Sequence, residues 1–528
     1  VQAKQTDRQH QGQQSEGDGV VFFHKKRPPV CFHEKIPSPP ERSFLITAFV
    51  VQKTLIATKG AEYNSINGLF SSIISMMSLA DLGIGTAIIY HMYRPVAERD
   101  EEKINSLLMF YKRCYLVISG VVLLIGIPVG LLLPRLVGDT QIPDSIYLIY
   151  ALFLADCISS YFLAYKKSLL YADLKNYIPD AIYFVTYVIQ NALQIGALLF
   201  CNSYILFLII KTLGKIIPNL LTSLYIRQKY PFTKEKNVKP VEKEVRQDII
   251  VKVKGLFCHK IGKMLVTGSD SIVITGVLGL QVMNLYTNYY LVISGVRALL
   301  VRIFEILTNS VGNFLLDSNP EKNRDIYRKI DFINFWCFGC VTVGMYAVMQ
   351  PLIVLWLGEE FLFDKNVLFV LTVSFYLDGM RASVNTFKEA AGIFHEDRRI
   401  PLLEAGINLV VSIVLAKLMG AAGVFLGTII SMGIVYLYSY PKYVCKPLFD
   451  MSYGQYVGKT VEHLLVLLGS LGMTELCIRP MVGWSSIPNL LASGTVAVIL
   501  FHAIFFLLYG RSEEMKYYWM LVKNKVRE

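Results

Sequence analysis

The chain has 528 residues, 54% of them hydrophobic and 17% charged, with a mean hydropathy of +0.45. Soluble domains carry roughly 25% charged residues. This composition, with its many nearly uncharged runs of roughly 18 residues or more, excludes a soluble globular protein and places the chain in a membrane. The formal net charge of +12 follows from where the basic residues fall, as set out below, and needs no nucleic-acid role.

Residues 1–43 are polar and proline-rich ("KKRPPVCFHEKIPSPPERS") and contain no signal-peptide apolar core. They are expected to be disordered or mistranslated. About fourteen apolar runs follow, each a candidate helix. They lie at 44–58, 65–91, 114–133, 146–165, 178–200, 203–226, 255–278, 284–316, 331–357, 366–393, 402–418, 421–440, 461–478 and 490–510. The first is shorter than the roughly 20 residues a bilayer needs and contains Gln52 and Lys53. The eighth is long enough to tilt or project. The expected fold is all-α: a polytopic membrane protein with two six-helix lobes plus two C-terminal helices. The N-lobe takes 44–226, a basic linker 227–254, the C-lobe 255–440, the last two helices 441–510, and a tail 511–528.

Loops after the even-numbered runs hold most of the Lys and Arg, for example Arg94, Lys166, Lys167, Arg328 and Lys442. Loops after odd-numbered runs hold few. Basic residues stay in the cytoplasm, so both termini are expected inside a bacterial cytoplasmic membrane. A repeat is also visible. Residues 60–138 run from Gly60 through an apolar helix, "RPVAERDEEKI", a second helix and "PRLVG". Residues 279–358 run from Gly279 through an apolar helix, "LDSNPEKNRDI", a second helix and "PLIVLWLG". Either the lobes are parallel copies, or two hydrophobic hairpins match by chance.

The nine cysteines are scattered. Cys337 and Cys340 form a CxxC inside an apolar run with no second pair, which reads as packing. No catalytic or nucleotide-binding motif is present, and no cytoplasmic loop exceeds 227–254 in length. The informative residues are charges inside apolar runs, each costing about 2.5–3.5 kcal/mol at mid-bilayer. Lys260 snorkels near a helix end. Lys388 and Glu389 approach the cytoplasmic surface. Asp180 sits at a helix start, where the dipole favours it. Asp81, Arg297, Arg302 and Glu305 are expected deeper, the last two close enough to pair. Asp156, Lys263 and Asp270 are further mid-run charges. Asp81 sits in "DLGIG", where glycines permit bending.

Several stretches carry a resemblance: "KGAEYNSINGLFSSIISMMSLADLGIGTAIIYHMYRPVAERDEEKI", "YKKSLLYADLKNYI", "GLFCHKIGKMLVTGSDSIVI", "LYTNYYLVI" and "EAAGIFHEDRRIPLLEAGINL". Over residues 44 to about 460 the chain resembles bacterial polysaccharide-repeat-unit flippases of the multidrug/oligosaccharidyl-lipid/polysaccharide exporter superfamily. The resemblance implies fourteen helices around a central cavity and an undecaprenyl-diphosphate-linked oligosaccharide as substrate. It implies alternating access and no enzymatic step. Cationic residues would hold the diphosphate: Lys53 by its position on the first helix, Lys263, Arg297 and Arg302. Asp81, Asp156 and Glu305 are the implied cavity carboxylates, with Asp81 or Asp156 taking a coupling proton or sodium. No other cofactor or metal is expected. Sugars would meet Tyr286, Asn288, Tyr289 and Tyr290. Partners would be the bilayer, a polysaccharide polymerase and chain-length proteins. Members of this family begin almost directly with a full first helix; the 43 preceding polar residues here fit a displaced start. The alternatives are a cation-coupled drug antiporter of the same superfamily, which wants a mainly acidic cavity, and a polytopic polymerase, which wants a large external loop.

Overall fold

The computed structural model describes all residues except 1–38, 79–83, 139, 235–237, 316–318, 395, 482 and 528; within its helices the side chains of 39–45, 86, 252, 254–260, 263, 267, 309, 313 and 524–527, Lys260 and Lys263 among them, also lie outside the description. Every described element is helical. Backbone in lipid must satisfy its own N–H and C=O groups, and a helix does so within one segment.

The first part of the chain forms α1 (Pro39–Lys59), α2 (Ala61–Met77), α3 (Ile84–Glu98), α4 (Glu101–Val137), α5 (Ile146–Tyr161), α6 (Lys167–Ala172), α7 (Tyr177–Leu199) and α8 (Tyr204–Lys229). The second forms α9 (Lys243–Val273), α10 (Leu280–Leu315), α11 (Pro320–Trp356), α12 (Lys365–Ala390), α13 (Ile400–Met419), α14 (Ala421–Ile434) and α15 (Lys446–Phe449). Then come α16 (Tyr453–Ile478), α17 (Ser486–Tyr509) and α18 (Glu513–Arg527). Each of the fourteen expected runs coincides with helix over most of its described residues. Ten described helical segments are long and apolar enough to cross a membrane, and the protein is a multi-pass membrane protein. The runs that fall short are the first, second, seventh and eighth, carried by α1, α2–α3, α9 and α10. Of these, α1, α2, α9 and α10 contribute residues to the cavity described below.

Three boundaries differ from expectation. The first helix is not a stump: α1 has 21 residues, about 30 Å at 1.5 Å per residue. The helix α9 begins at Lys243, inside the predicted linker, because the charged stretch before the apolar run is itself helical. The tail is also a helix. In α18, Trp519, Met520 and Leu521 are exposed beside Lys516 and Lys523, the pattern of a helix lying in a membrane interface. Its Tyr518 hydroxyl donates to the Lys329 carbonyl at 2.9 Å.

The repeat extends to backbone detail. Under one constant offset, Gly60, Ala61, Asp100, Glu101 and Val137 coincide with Gly279, Leu280, Asn319, Pro320 and Trp356. Gly60 has φ 89° and ψ 178°, and Gly279 φ 89° and ψ 176°, a conformation that only glycine adopts cheaply. Asp100 accepts from the Lys103 N–H at 3.0 Å and Asn319 from the Lys322 N–H at 2.9 Å, equivalent N-caps. The helices they start, α4 and α11, both have 37 residues. Packing follows the two copies. Within the N-lobe α4 packs on α5, α5 on α8 and α7 on both α1 and α8; within the C-lobe α9 packs on α13, α10 on α12 and α12 on α14. The lobes meet where α2 packs against α9 and α10. The last helices, α16 and α17, pack on α11.

Candidate functional site

A cavity of about 680 Å³ lies between the lobes, walled by α1, α2, α9 and α10. Its N-lobe wall presents Ser71, Ser75 and Ser78 at helical spacing, with Gln52 and Asn67 above them. Its C-lobe wall presents Tyr286, Thr287, Tyr290 and Ser294. The two walls are the repeat facing itself. The offset that superposes Gly60 on Gly279 also pairs Gln52 with Ser271, Gly68 with Thr287, Ser71 with Tyr290 and Ser75 with Ser294. No described lining residue carries a formal charge.

The cavity is closed toward Gly60 and Gly279, the end opposite the basic loops. There Gln52 Nε2 donates to Asn288 Oδ1 at 2.5 Å, and Asn64 Nδ2 to Asn284 Oδ1 and Asn288 Oδ1 at 2.8 and 3.0 Å. Ser65 Oγ donates to the Leu280 carbonyl at 2.7 Å. These bonds join α1 and α2 of one lobe to α10 of the other. A Cβ at Gly68 would fall inside contact distance of Thr287 Oγ1, so glycine there lets the lobes close.

Nearer the basic end, a second cavity of about 260 Å³ lies inside the C-lobe. Three ion pairs line it. Arg297 Nη2 and Asp378 Oδ2 are 2.5 Å apart. Arg381 donates to both oxygens of Glu404, at 2.6 and 3.2 Å, and to the Tyr440 hydroxyl at 3.3 Å. Lys388 pairs with Asp397, which also accepts from Ser439 at 3.1 Å. Asp378, Arg381 and Lys388 share one face of α12, and each finds an opposite charge on a neighbouring segment.

A third cluster is buried among α9, α13 and α14. Thr428 Oγ1 donates to Asp270 Oδ1 at 3.2 Å, Asn408 Nδ2 donates to Thr428 Oγ1 at 2.9 Å, and Ser269 Oγ donates to Asn408 Oδ1 at 2.7 Å. The Val424 carbonyl accepts from Ser412 at 3.0 Å. Asp270 has no ion-pair partner among the described residues. Carboxylate, hydroxyl, amide and carbonyl oxygens in one place are ligands for a hard cation.

The expected site residues separate. Arg297 lies midway along α10, one helical turn beyond Ser294 at the inner end of the cavity, but already holds Asp378. Lys53 is exposed and absent from the described cavity wall; one residue turns a helix by about 100°, so its neighbour Gln52 faces the cavity instead. Arg302 and Glu305 stand side by side on α10. Their side chains are 68% and 60% exposed, and they stand 3.9 Å apart. Glu305 borders the C-lobe cavity; Arg302 lines neither. Asp156 lies on α5 in the N-lobe, away from the described cavity wall, with one oxygen buried and without a hydrogen-bond partner among the described residues. Asp81 and the Lys263 side chain lie outside the described residues. Lys388, expected at the surface, is 7% exposed because Asp397 folds over it; Glu389 is exposed as expected. Of the expected sugar contacts, Tyr286 and Tyr290 line the cavity. Asn288 forms the closure, and Tyr289 is buried, donating to neither wall but holding the Phe363 N–H at 3.1 Å. Sequence reasoning missed the cavity serines and the partners of Asp270. The serines have a legible signal, recurring on one face of an otherwise apolar helix.

No protein-family model and no curated protein matches the sequence. Solved structures do match. An inward-facing multidrug resistance MATE family transporter of the MOP superfamily is similar with a TM-score of 0.62 at 13% identity, over 74% of this chain and 94% of that one. The lipid II flippase MurJ, in an inward closed conformation, is similar with a TM-score of 0.59 at 13% identity, over 89% of this chain and 99% of that one. The chain has the fold of MOP superfamily transporters.

Proposed function

We propose that the chain is a flippase that carries an undecaprenyl-diphosphate-linked oligosaccharide from the cytoplasmic to the outer leaflet, for capsule, exopolysaccharide or O-antigen biosynthesis. The observation that carries this reading is the cavity of about 680 Å³ between the lobes, walled by hydroxyls, amides and tyrosines. Sugar hydroxyls both donate and accept, and serine, asparagine and tyrosine answer both roles. The prenyl tail stays in lipid. The diphosphate reaches Arg297 by displacing Asp378, since a guanidinium binds phosphate oxygens through several charge-assisted hydrogen bonds. The amide closure around Asn288 is the outer gate. Each bond there contributes about 0.5–1.5 kcal/mol, which suits a gate that opens every cycle. The Asp270 cluster holds the coupling proton or sodium, in place of Asp81 or Asp156. The protein sits in a bacterial cytoplasmic membrane with both termini inside, beside a polymerase and chain-length proteins.

Complementation of a flippase-deleted strain tests the reading. Surface polysaccharide returns, and lipid-linked repeat units stop accumulating. Arg297→Ala abolishes this while leaving membrane insertion intact. Normal surface polysaccharide with Arg297→Ala removes Arg297 as an essential phosphate ligand. Asp270, a buried acid without an ion-pair partner among the described residues, also suits a cation-coupled multidrug antiporter. Cation-driven efflux of an organic dye without polysaccharide rescue would select that reading instead.

A further inference from the structure

We propose that the glycan held in the central cavity is uncharged, built of neutral hexoses and hexosamines without uronic or other acidic sugars. The inference rests on the flippase reading and specifies its substrate. The first ground is the wall itself. Among the described residues, every polar group lining the cavity is a hydroxyl or an amide. A sugar carboxylate moved from water into this space would lose hydration and meet no described cation. An unpaired buried charge costs several kcal/mol, whereas neutral hydroxyls exchange water for Ser71, Ser75 and Asn67 at little cost.

The second ground is where the neighbouring cations are committed. The offset that pairs the two walls matches Ser78 in the N-lobe with Arg297 in the C-lobe. The one arginine that the repeat places at the cavity's inner end is held by Asp378 at 2.5 Å. Farther in, Arg381 is held by Glu404, and Lys388 by Asp397. One displaced carboxylate frees Arg297 for the diphosphate, which every such substrate carries. No described cation lines the central cavity for an acidic sugar to meet.

The third ground is the difference between the walls. At equivalent positions the N-lobe has Ser71 and the C-lobe Tyr290. Tyr290 is 38% exposed and leans on Tyr286, ring centroids 5.5 Å apart, while Tyr286 stacks on Phe425 at 5.6 Å. A rigid aromatic face on one side and a serine ladder on the other fit a pyranose, whose ring faces are apolar and whose rim is hydroxylated.

The test expresses the full chain in a panel of flippase-deleted hosts. Some of their lipid-linked repeat units contain only neutral sugars; others, of matched length, contain one uronic acid. Membrane levels of the protein are checked in each. Neutral-unit hosts recover surface polysaccharide at least about tenfold better than acidic-unit hosts, the factor expected for an unpaired charge costing 1.4 kcal/mol or more. Ser75→Arg places a cation on the wall and reverses the ranking. Equal rescue of both groups, or better rescue of acidic units by the parent chain, overturns the inference and leaves the flippase reading standing. Rescue of no host, with the protein present in the membrane, overturns the flippase reading, and the inference falls with it.

Discussion

The cavity between the lobes measures about 680 Å³ and is walled by uncharged polar groups, whereas the cavity inside the C-lobe measures about 260 Å³ and is lined by three ion pairs. Both border α10, and Ser294 and Arg297 mark where one gives way to the other. Charges and hydroxyls therefore serve different ends in this bundle. A charge in a low-dielectric interior needs a fixed partner, and the Arg381–Glu404 pair ties α12 to α13. Hydroxyls tolerate a change of partner, which a cavity that fills and empties requires. The surface between the lobes, α2 against α9 and α10, is held by amides and serines such as Asn64, Asn288, Ser72 and Ser271.

The sharpest way to break this contrast is to remove one partner inside the C-lobe. Glu404 has a side chain only 3% exposed and holds Arg381 with both oxygens. Glu404→Ala leaves a buried guanidinium uncompensated and is expected to cost about 3–5 kcal/mol. Thermal unfolding in detergent reads this as a large fall in Tm. Replacing both partners, Glu404→Met with Arg381→Met, restores most of the loss, because an apolar pair of similar size replaces an ion pair at little net cost. A single variant as stable as the parent would show that the pairs do not fix the lobe.

Substitutions between the lobes are expected to spare stability and shift conformation. Gly68→Leu brings a side chain against Thr287, so the outer end no longer closes. A thiol reagent added outside then labels a cysteine at Ser75 more readily than in the parent, and polysaccharide export falls. Asn64→Ala is milder. It removes two hydrogen bonds worth about 0.5–1.5 kcal/mol each and moves the same equilibrium by about fivefold to a hundredfold. If Asn64→Ala lowers Tm as far as Glu404→Ala does, the distinction between rigid and moving parts is lost.

Much of the architecture was legible because its signals are local. Gly60 and Gly279 announce the repeat through a conformation that only glycine holds cheaply, and Asp100 and Asn319 announce the helices that follow. Apolar length alone located the fourteen runs. It missed the first twelve residues of α9, whose charges hide a helix from a search for hydrophobicity. The site was less legible because partners lie far apart in the chain. Arg297 and Asp378 are on different helices, and nothing in either neighbourhood names the other. The resemblance points to Lys53 by its place on the first helix, yet the helix face brings its neighbour Gln52 to the cavity. Asp270 stood out among the mid-run charges, but Asn408 and Thr428 are ordinary polar residues until folding brings them beside it.

The smallest expected effect lies at the basic end of the N-lobe, outside the bilayer-spanning segments. Asp173 accepts from Lys175 Nζ at 2.6 Å and from the Tyr230 hydroxyl. Burial opposes ionisation of Asp173, but these two hydrogen bonds outweigh it and hold the carboxyl below its usual range. A carboxyl whose folded pKa is depressed stabilises the fold above its unfolded value, about 4, and loses that contribution as the pH falls through the folded value. Asp173→Asn should therefore lower stability at neutral pH by at most about 1 kcal/mol, since both partners are partly exposed to solvent and salt. The same variant should unfold like the parent in acid, where Asp173 is already protonated. An effect at neutral pH as large as that of Glu404→Ala would mean that partly exposed pairs brace this bundle as strongly as buried ones, and the contrast between the two cavities would then owe less to burial than to position.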